Sequence, residues 1–188
     1  MNLSKLFETQ KKLDQRIVKE KGLEGQDLLD NKILALQVEL GELANEWRGF
    51  NFWSSRQEPV TNDLRVADYK ESGEAILETY NPLLEEYVDC LHFILSIGLE
   101  LETTNIVIDS DYTGADTTET FIFAFETVIE LANSIRDGNK SYIYQVYEEL
   151  FNLFVGLGEK YLGFTWEEIE QAYFEKNEIN HKRQEGGY

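Results

Sequence analysis

Two groups of acidic side chains are the part of this sequence best suited to chemistry. Glu39, Glu42 and Glu46 follow one another at intervals of three and four residues, so a helix places their carboxylates on one stripe. Glu86 and Asp89 repeat the three-residue interval in a second stretch. Carboxylates held close together repel one another unless protons or cations neutralise them. The pattern therefore predicts a site at which oxygen ligands bind a divalent metal ion.

A solvated helix face is the alternative interpretation of these acids. The chain has 36 Asp and Glu residues, so some pairs with this spacing occur by chance. However, Glu39 and Asp89 each have an apolar residue on both sides, which is unusual for a purely solvated face. This flanking favours the metal site.

A stripe of cations, amides and a phenol recurs at three- and four-residue intervals near the C-terminus. Its members are Tyr173, Lys176, Asn177, Asn180, Arg183 and Gln184. Lysine binds phosphate as a point charge, and arginine offers a planar fork that holds two phosphate oxygens. The stripe is a candidate polyphosphate clamp in a chain whose net charge is −19. A basic last turn that complements the helix dipole is an equally good interpretation of these residues alone.

Aromatic and amide side chains complete a candidate nucleotide pocket. Trp53 or Phe52 is suited to stacking on a base, and Gln10 or Asn180 to hydrogen bonding with its edge. The chain has 11 Phe, 10 Tyr and 3 Trp residues, most of which must belong to the core. Taken singly, each aromatic residue is more typical of the core than of a pocket.

A carboxylate-bridged di-iron centre is a weaker metal hypothesis. It requires a Glu-x-x-His motif from each of two helices. Asp89-x-x-His92 has Asp in place of Glu, and the His181 of Glu178-x-x-His181 lies beside two cations. Both departures argue against this site.

The positions of apolar residues predict the elements that carry these side chains. Residues at a helical period, with capping residues and breakers, predict an all-α bundle of about six helices in a single domain, residues 1–188. The helices are expected at about 2–21, 28–49, 82–101, 118–136, 141–161 and 165–184. Residues 54–80 are expected to form a long loop with one short helix at 71–79. The β-prone run at 105–108 predicts a small β-hairpin-like insertion near 103–117.

The composition limits the class of protein and its partners. A net charge of −19 disfavours nonspecific binding to nucleic acid or to anionic membranes. No run approaches the roughly 20 apolar residues that a membrane-spanning helix needs. The N-terminus has no signal-peptide pattern, and the single Cys90 fits a reducing compartment. We therefore expect a soluble cytoplasmic protein with no direct nucleic acid or membrane partner.

Four motifs occur together, in an order that is typical of one family. They are Gln10-x-x-Leu13-Asp14, Glu39-x-x-Glu42 followed by Phe52-Trp53-Ser54, Glu86-x-x-Asp89 followed by His92-Phe93, and Tyr173-x-x-Lys176-Asn177-x-x-Asn180-x-x-Arg183-Gln184-x-x-Gly187-Tyr188. With them the chain resembles the dimeric, all-α dUTP diphosphatases. These enzymes are relatives of the MazG-type nucleotide pyrophosphohydrolases, and the closest likeness is to the form of Gram-positive bacteria and their phages.

The resemblance implies an activity, a cofactor and a metal-binding set. The activity is hydrolysis of dUTP, and of dUDP, to dUMP with release of pyrophosphate or phosphate, which limits uracil incorporation into DNA. Glu39, Glu42, Glu86 and Asp89 would bind the Mg²⁺ ions that bridge the phosphates. Glu39 would also orient and deprotonate the water that attacks the β-phosphorus.

The resemblance also implies a substrate-binding set. Its members are Gln10, Asp14 and Asn180 around the uracil edge, Trp53 over the ring, Phe93 against the sugar, and Lys176, Asn177 and Arg183 near the phosphates. Asp14 stands where some relatives have Asn, and Asn51 occupies a position that is often basic in the family.

Partners and alternative functions follow from the same comparison. The resemblance implies a homodimer, and the segment 103–117 is a candidate site for a repressor or another regulatory protein, as in phage relatives. A related pyrophosphohydrolase that prefers dCTP or another nucleotide would share both acidic pairs but differ around Gln10 and Asn180. A noncatalytic acidic helical protein that binds a regulator would have no need for the cationic stripe.

Overall fold

The computed structural model describes residues 2–185, and within this range helices dominate the fold. The α-helices are α1 (Leu3–Lys21), α2 (Leu29–Trp47), α3 (Pro82–Glu100), α4 (Thr117–Asp137), α5 (Lys140–Gly156) and α6 (Trp166–Glu185). A turn of π-helix, Leu157–Tyr161, continues α5. The predicted all-α class is confirmed. Gly187 and Tyr188, which end the C-terminal motif, lie outside the described residues.

Local side-chain caps explain where two of the helices that carry site residues begin. At α3, Asn81 Oδ1 accepts a hydrogen bond from the Leu84 N–H at 3.1 Å, and Pro82 occupies the first turn, where its missing N–H costs little. At α6, Thr165 Oγ1 accepts from the Glu168 N–H at 3.3 Å, while Glu168 Oε2 accepts from the Thr165 N–H at 2.8 Å. This reciprocal pair is the capping box that the sequence predicts.

The core is one cluster of buried apolar side chains to which all six helices contribute. Helix α3 lies at its centre and packs against α1, α2 and α6. Tyr87 of α3 stacks on Phe154 of α5 with ring centroids 4.3 Å apart. Because α3 is enclosed on several sides, its polar residues His92 and Ser96 are buried against neighbouring helices. Among the described helices, none is long and apolar enough to cross a membrane.

Gly98 allows α3 to approach α5 closely. A Cβ at this position would lie 2.1 Å from the Tyr147 hydroxyl oxygen and 3.1 Å from the Phe7 ring. We expect Gly98→Ala to lower the free energy of unfolding by about 1–3 kcal/mol because of this overpacking, as measured by urea denaturation. Gly41 of α2 is a matched control, since its Cβ would meet nothing within 4 Å. Equal effects of Gly98→Ala and Gly41→Ala would contradict the explanation.

The hairpin lies elsewhere than the sequence predicts. Strands β1 (Asp63–Tyr69) and β2 (Ala75–Tyr80) pair antiparallel, with a bulge between Val66 and Asp68. The prediction of a hairpin at 103–117 is therefore wrong, and the predicted loop with a short helix across 54–80 is wrong from residue 63 onward, while residues 54–62 do form a loop. Apolar side chains such as Leu64 and Leu77 are exposed here, 61% and 56% respectively, so these strands lack the alternation of a half-buried sheet.

The segment 103–116 is irregular backbone fastened to α5. Asn152 Nδ2 donates to the Val107 carbonyl at 2.9 Å, and Asn152 Oδ1 accepts from the Asp109 and Ser110 N–H groups at 3.2 and 3.3 Å. Ile106 is buried in the core. A side-chain amide thus satisfies backbone groups that a partner strand would otherwise pair. This explains why a β-prone run forms no strand.

Candidate active site

Three carboxylates from two packed helices converge at one point. Glu39 and Glu42 of α2 and Glu86 of α3 each place one oxygen within 4.8 Å of the others. Glu39 and Glu86 are half-buried and Glu42 is exposed. Oxygen donors alone suit a hard divalent cation such as Mg²⁺ or Ca²⁺. The helical spacing of these residues, together with the packing of α2 on α3, produces the cluster.

Mutual repulsion and burial change the acidity of this cluster. Burial, followed by the negative charges of Asp89 and Glu42, raises the pKa of Glu39 to about 7. Burial and the charges of Asp89, Glu42 and Glu39 raise the pKa of Glu86 to about 7 as well. These side chains therefore retain protons near neutral pH when no cation compensates their charge. Such perturbed carboxylates are typical of functional sites.

Asp89, the fourth predicted ligand, is paired with a lysine. Lys176 Nζ of α6 lies 2.5 Å from Asp89 Oδ2 and 2.8 Å from Glu85 Oε1, and the lysine side chain is only 9% exposed. Arg65 Nη1, from β1, contacts the other Glu85 oxygen at 2.7 Å. Glu85 thereby joins the hairpin to Lys176. The sequence reasoning missed Glu85 and Arg65, because no pattern links residue 65 to residue 176.

A cavity of about 410 Å³ lies beside the carboxylates, between α1, α2, α3 and α6. Its volume is in the range of small-molecule sites. Seven predicted site residues line it: Gln10, Asp14, Glu39, Asp89, Phe93, Asn180 and Arg183. Glu39 and Asp89 thus belong both to the acidic region and to the cavity wall. Motifs from the two ends of the chain meet at this cavity.

Other predicted residues lie outside the cavity wall. Lys176 and Asn177 are buried, and neither is part of the cavity lining. Trp53 is 69% exposed and forms an edge-to-face pair with Phe52 at 4.9 Å. In this structure Trp53 therefore covers no part of the cavity, and its contact with a base stays a prediction.

A hydrogen-bond network fixes the polar residues of the cavity. Gln10 Nε2 donates to Asp14 Oδ1 at 2.7 Å, and the Tyr173 hydroxyl donates to Gln10 Oε1 at 2.8 Å. His92 Nδ1 lies 2.7 Å from the same oxygen, and Ser96 Oγ donates to Asp14 Oδ2 at 2.6 Å. The sequence reasoning assigned no role to Ser96, considered His92 only as an iron ligand, and placed Tyr173 only in the candidate polyphosphate stripe. Their helical spacing from motif residues was the available signal, but it does not give hydrogen-bond partners.

Comparison with known families agrees with this site. A family model described as dUTPase matches residues 2–68 and 75–188. The chain belongs to the all-α dimeric dUTPase family. The protein is accordingly a dUTP diphosphatase, as the motifs imply. A search of curated proteins gave no significant match.

The family match leaves one short internal segment unmatched. This segment is residues 69–74, which comprise the last residue of β1 and the turn that leads to β2. Residues 103–117, in which the sequence reasoning placed an insertion, lie within the matched range. The unmatched residues therefore lie at the turn of the hairpin.

Proposed function

We propose that this dUTPase hydrolyses dUTP and dUDP to dUMP, releasing pyrophosphate and phosphate respectively, in a Mg²⁺-dependent reaction. The observation that supports this proposal most is the position of Glu39, which belongs both to the carboxylate cluster and to the wall of the cavity. A metal site and a nucleoside-sized cavity thus share one side chain. That arrangement brings a triphosphate to the metal when its nucleoside occupies the cavity.

The carboxylates would hold the metal, and one of them would also accept a proton. Glu39, Glu42 and Glu86, with Asp89 beside them, are the proposed Mg²⁺ ligands. Bound Mg²⁺ would neutralise the carboxylates and the phosphates and make a water molecule more acidic. Glu39 accepts the proton of the attacking water, a role for which a carboxylate within the cavity wall is suitably placed.

Cations of α6 take part at the phosphate end. Arg183 lines the cavity, and we assign it to a phosphate oxygen because its guanidinium can donate two parallel hydrogen bonds. Lys176 compensates the charge of Asp89 and Glu85 in this structure, and we propose that it shares this charge with the phosphates. Asn177 and Asn180 belong to the same substrate-binding face of α6. We assign Gln10 and Asp14 to the uracil edge, Phe93 to the sugar, and Trp53, whose side chain is exposed in this structure, to the face of the ring.

A panel of nucleotides tests the proposed reaction. Each deoxynucleoside and ribonucleoside triphosphate would be incubated with the protein, with Mg²⁺ and with EDTA, while pyrophosphate is measured. We expect rapid release from dUTP with Mg²⁺ only. Equal rates for dUTP and dCTP would instead favour a pyrophosphohydrolase of broader specificity, and no release from any nucleotide would favour a noncatalytic protein.

We propose that the protein is a homodimer that associates through α2 and α4. These helices pack on each other and expose four large apolar side chains, Leu34, Val38, Ile122 and Ile129, each at least 50% accessible. Leu34 and Ile129 line one groove between the two helices. Contiguous exposed apolar surface of this kind is typical of an interface.

Charge substitution tests this interface. We expect Leu34→Asp to convert a dimer to a monomer in sedimentation velocity, because it replaces an apolar contact with a carboxylate whose desolvation is costly. Leu64→Asp is the matched control, since Leu64 is also 61% exposed but lies on the hairpin. A monomeric wild-type protein would contradict the proposal, as would dissociation by Leu64→Asp alone.

A regulatory protein partner and the cellular setting are further parts of the proposal. We propose that residues 103–117 bind a repressor or similar regulator, for which Val107 and Tyr112 are the exposed apolar side chains, 53% and 40% accessible. We also propose that the protein acts in the cytoplasm, which is that of the bacterial host cell if a phage encodes the protein. A binding assay with a repressor tests this part of the proposal. We expect the wild-type protein to capture the repressor, and Val107→Asp to lose this binding while it retains dUTP hydrolysis.

A further inference from the structure

The hydrogen-bond partners of Gln10 hold its side-chain amide in one orientation, and Asp14 is one of these partners. The Asp14 carboxylate accepts from Ser96 Oγ at 2.6 Å and lies 3.6 Å from the ammonium of Lys32. An ionised carboxylate can only accept hydrogen bonds. The 2.7 Å contact between Gln10 and Asp14 must therefore involve the Gln10 amide NH₂ group, which is the donor at that position.

The amide oxygen of Gln10 faces two donors as a consequence. The Tyr173 hydroxyl lies 2.8 Å from Gln10 Oε1, closer than its 3.4 Å contact with the Leu6 carbonyl. His92 Nδ1 lies 2.7 Å from the same oxygen, so Nδ1 carries the ring proton. Burial, with the charge of Lys176, lowers the pKa of His92 to about 3, which keeps the ring neutral. Its Nε2 is buried and has no partner among the described residues, as expected for the unprotonated nitrogen.

The hydrogen-bonding capacity of Gln10 is then almost fully used. An amide has two acceptor lone pairs and two N–H donors. Tyr173 and His92 occupy the lone pairs, and Asp14 accepts from one N–H. Rotation of the amide by 180° would turn its oxygen towards Asp14 and its NH₂ towards two donors, which loses three hydrogen bonds at once. The residue is 3% exposed and lines the cavity, so its second N–H is the group left for a ligand.

We propose that Tyr173 and His92 are specificity-determining positioning residues: by holding the Gln10 amide in place, they make the cavity accept uracil and reject cytosine. This inference rests on the proposed function. Neither residue needs to touch the base itself. Both act through Gln10.

The donors and acceptors of the two bases explain the selection. Uracil presents a carbonyl oxygen next to the N3–H donor, which matches an N–H of Gln10 next to a carboxylate oxygen of Asp14. Cytosine presents an amino donor next to the unprotonated N3, which reverses both partners. A cytosine base would therefore place its amino group against the N–H of Gln10 and the lone pair of its N3 against the carboxylate of Asp14. A site built around such groups rejects an analogue that leaves them unpaired.

Removal of a single hydroxyl tests the inference. Tyr173→Phe keeps the ring, which stacks on His92 with centroids 4.4 Å apart, but removes one of the two donors to Gln10. We expect the ratio of kcat/KM for dUTP to that for dCTP to fall about tenfold. The dissociation constants of dUMP and dCMP, measured by calorimetry without turnover, should approach each other by a similar factor. The double variant His92→Phe, Tyr173→Phe should show a larger loss.

A second buried tyrosine provides the control. The Tyr147 hydroxyl donates to the Ile94 carbonyl at 2.8 Å, away from the cavity lining, so Tyr147→Phe loses a comparable hydrogen bond and should leave both ratios unchanged. A wild-type ratio in Tyr173→Phe, or an equal change in Tyr147→Phe, would overturn the inference while leaving dUTP hydrolysis intact. Absence of hydrolysis in the wild-type protein would overturn the proposed function, and absence of dUMP selectivity over dCMP would overturn the inference independently.

Discussion

Glu39→Gln is expected to lower kcat for dUTP hydrolysis about a thousandfold, which is within the usual contribution of a general base. The amide cannot accept a proton from water, and it contributes no negative charge to the carboxylate cluster. Because Glu39 is the cluster member that also lines the cavity, its loss removes a ligand and a base together. Steady-state kinetics with dUTP and Mg²⁺ measures the effect.

Glu46→Gln is the matched control for this prediction. Glu46 follows Glu42 by four residues on α2 but is not a member of the converging cluster. Its substitution should leave kcat within about threefold of the wild-type value. Comparable losses in both variants would show that the charge of α2 as a whole matters, and would contradict the assignment of Glu39. An unfolded Glu39→Gln variant, seen by circular dichroism, would indicate a structural role instead.

The second large effect concerns pH and the metal-free protein. The pKa values of Glu39 and Glu86 are raised from 4.5 to about 7 in the folded state. Between these pH values the folded state binds more protons than the unfolded state, so each carboxylate reduces stability as pH rises through this window. His92 acts in the opposite direction. Because its pKa is lowered from 6.5 to about 3 in the folded state, its contribution makes stability rise as the pH increases between these two values. The wild-type profile alone therefore combines opposing contributions.

A difference between variants isolates the contribution of Glu39. In EDTA, we expect Glu39→Gln to melt at the wild-type temperature near pH 5 and above it near pH 8. At pH 8 the free energy of unfolding of Glu39→Gln should exceed that of the wild-type protein by on the order of 1.5 kcal/mol, a value discounted for the partial exposure of Glu39. This corresponds to a melting temperature about 3–6 °C higher for a chain of this size. Mg²⁺ should raise the wild-type melting temperature more at pH 8 than at pH 5, since metal ligands must be deprotonated.

The same melting experiments can contradict the roles assigned to Glu39 and to the carboxylate cluster. Glu46→Gln should show no pH-dependent difference from the wild-type protein. If Glu39→Gln differs from the wild-type protein by the same amount at pH 5 and pH 8, Glu39 does not titrate in this window. If Mg²⁺ stabilises both proteins equally at both pH values, the carboxylate cluster is not where it binds.

Features encoded within a few residues of one another were predictable from the sequence. Apolar residues at a helical period located the helices, and the capping box between Thr165 and Glu168 located the start of α6. The spacing of Glu39 and Glu42 placed both on one face of α2, so that only the packing of α2 on α3 was needed to complete the cluster with Glu86. Periodicity therefore predicted most of the carboxylate cluster.

Features that depend on distant partners were not predictable in this way. The pairing of Lys176 with Asp89 and Glu85 depends on how α6 lies against α3. The hairpin at 63–80 was missed because the largely polar stretch 54–80 shows no sustained period, as expected for strands that bury no face against the core. Likewise, the donors to Gln10 come from α3 and α6, so its fixed amide is visible only in the folded chain.

The most direct test of the central claim is the fate of dUTP itself, followed by ³¹P NMR with purified protein. With Mg²⁺, we expect dUTP to be converted to equal amounts of dUMP and pyrophosphate. EDTA should stop the conversion, and Glu39→Gln should reduce it about a thousandfold while Glu46→Gln does not. Unchanged dUTP in the presence of Mg²⁺ and folded wild-type protein would contradict the proposed reaction, as would release of inorganic phosphate in place of pyrophosphate.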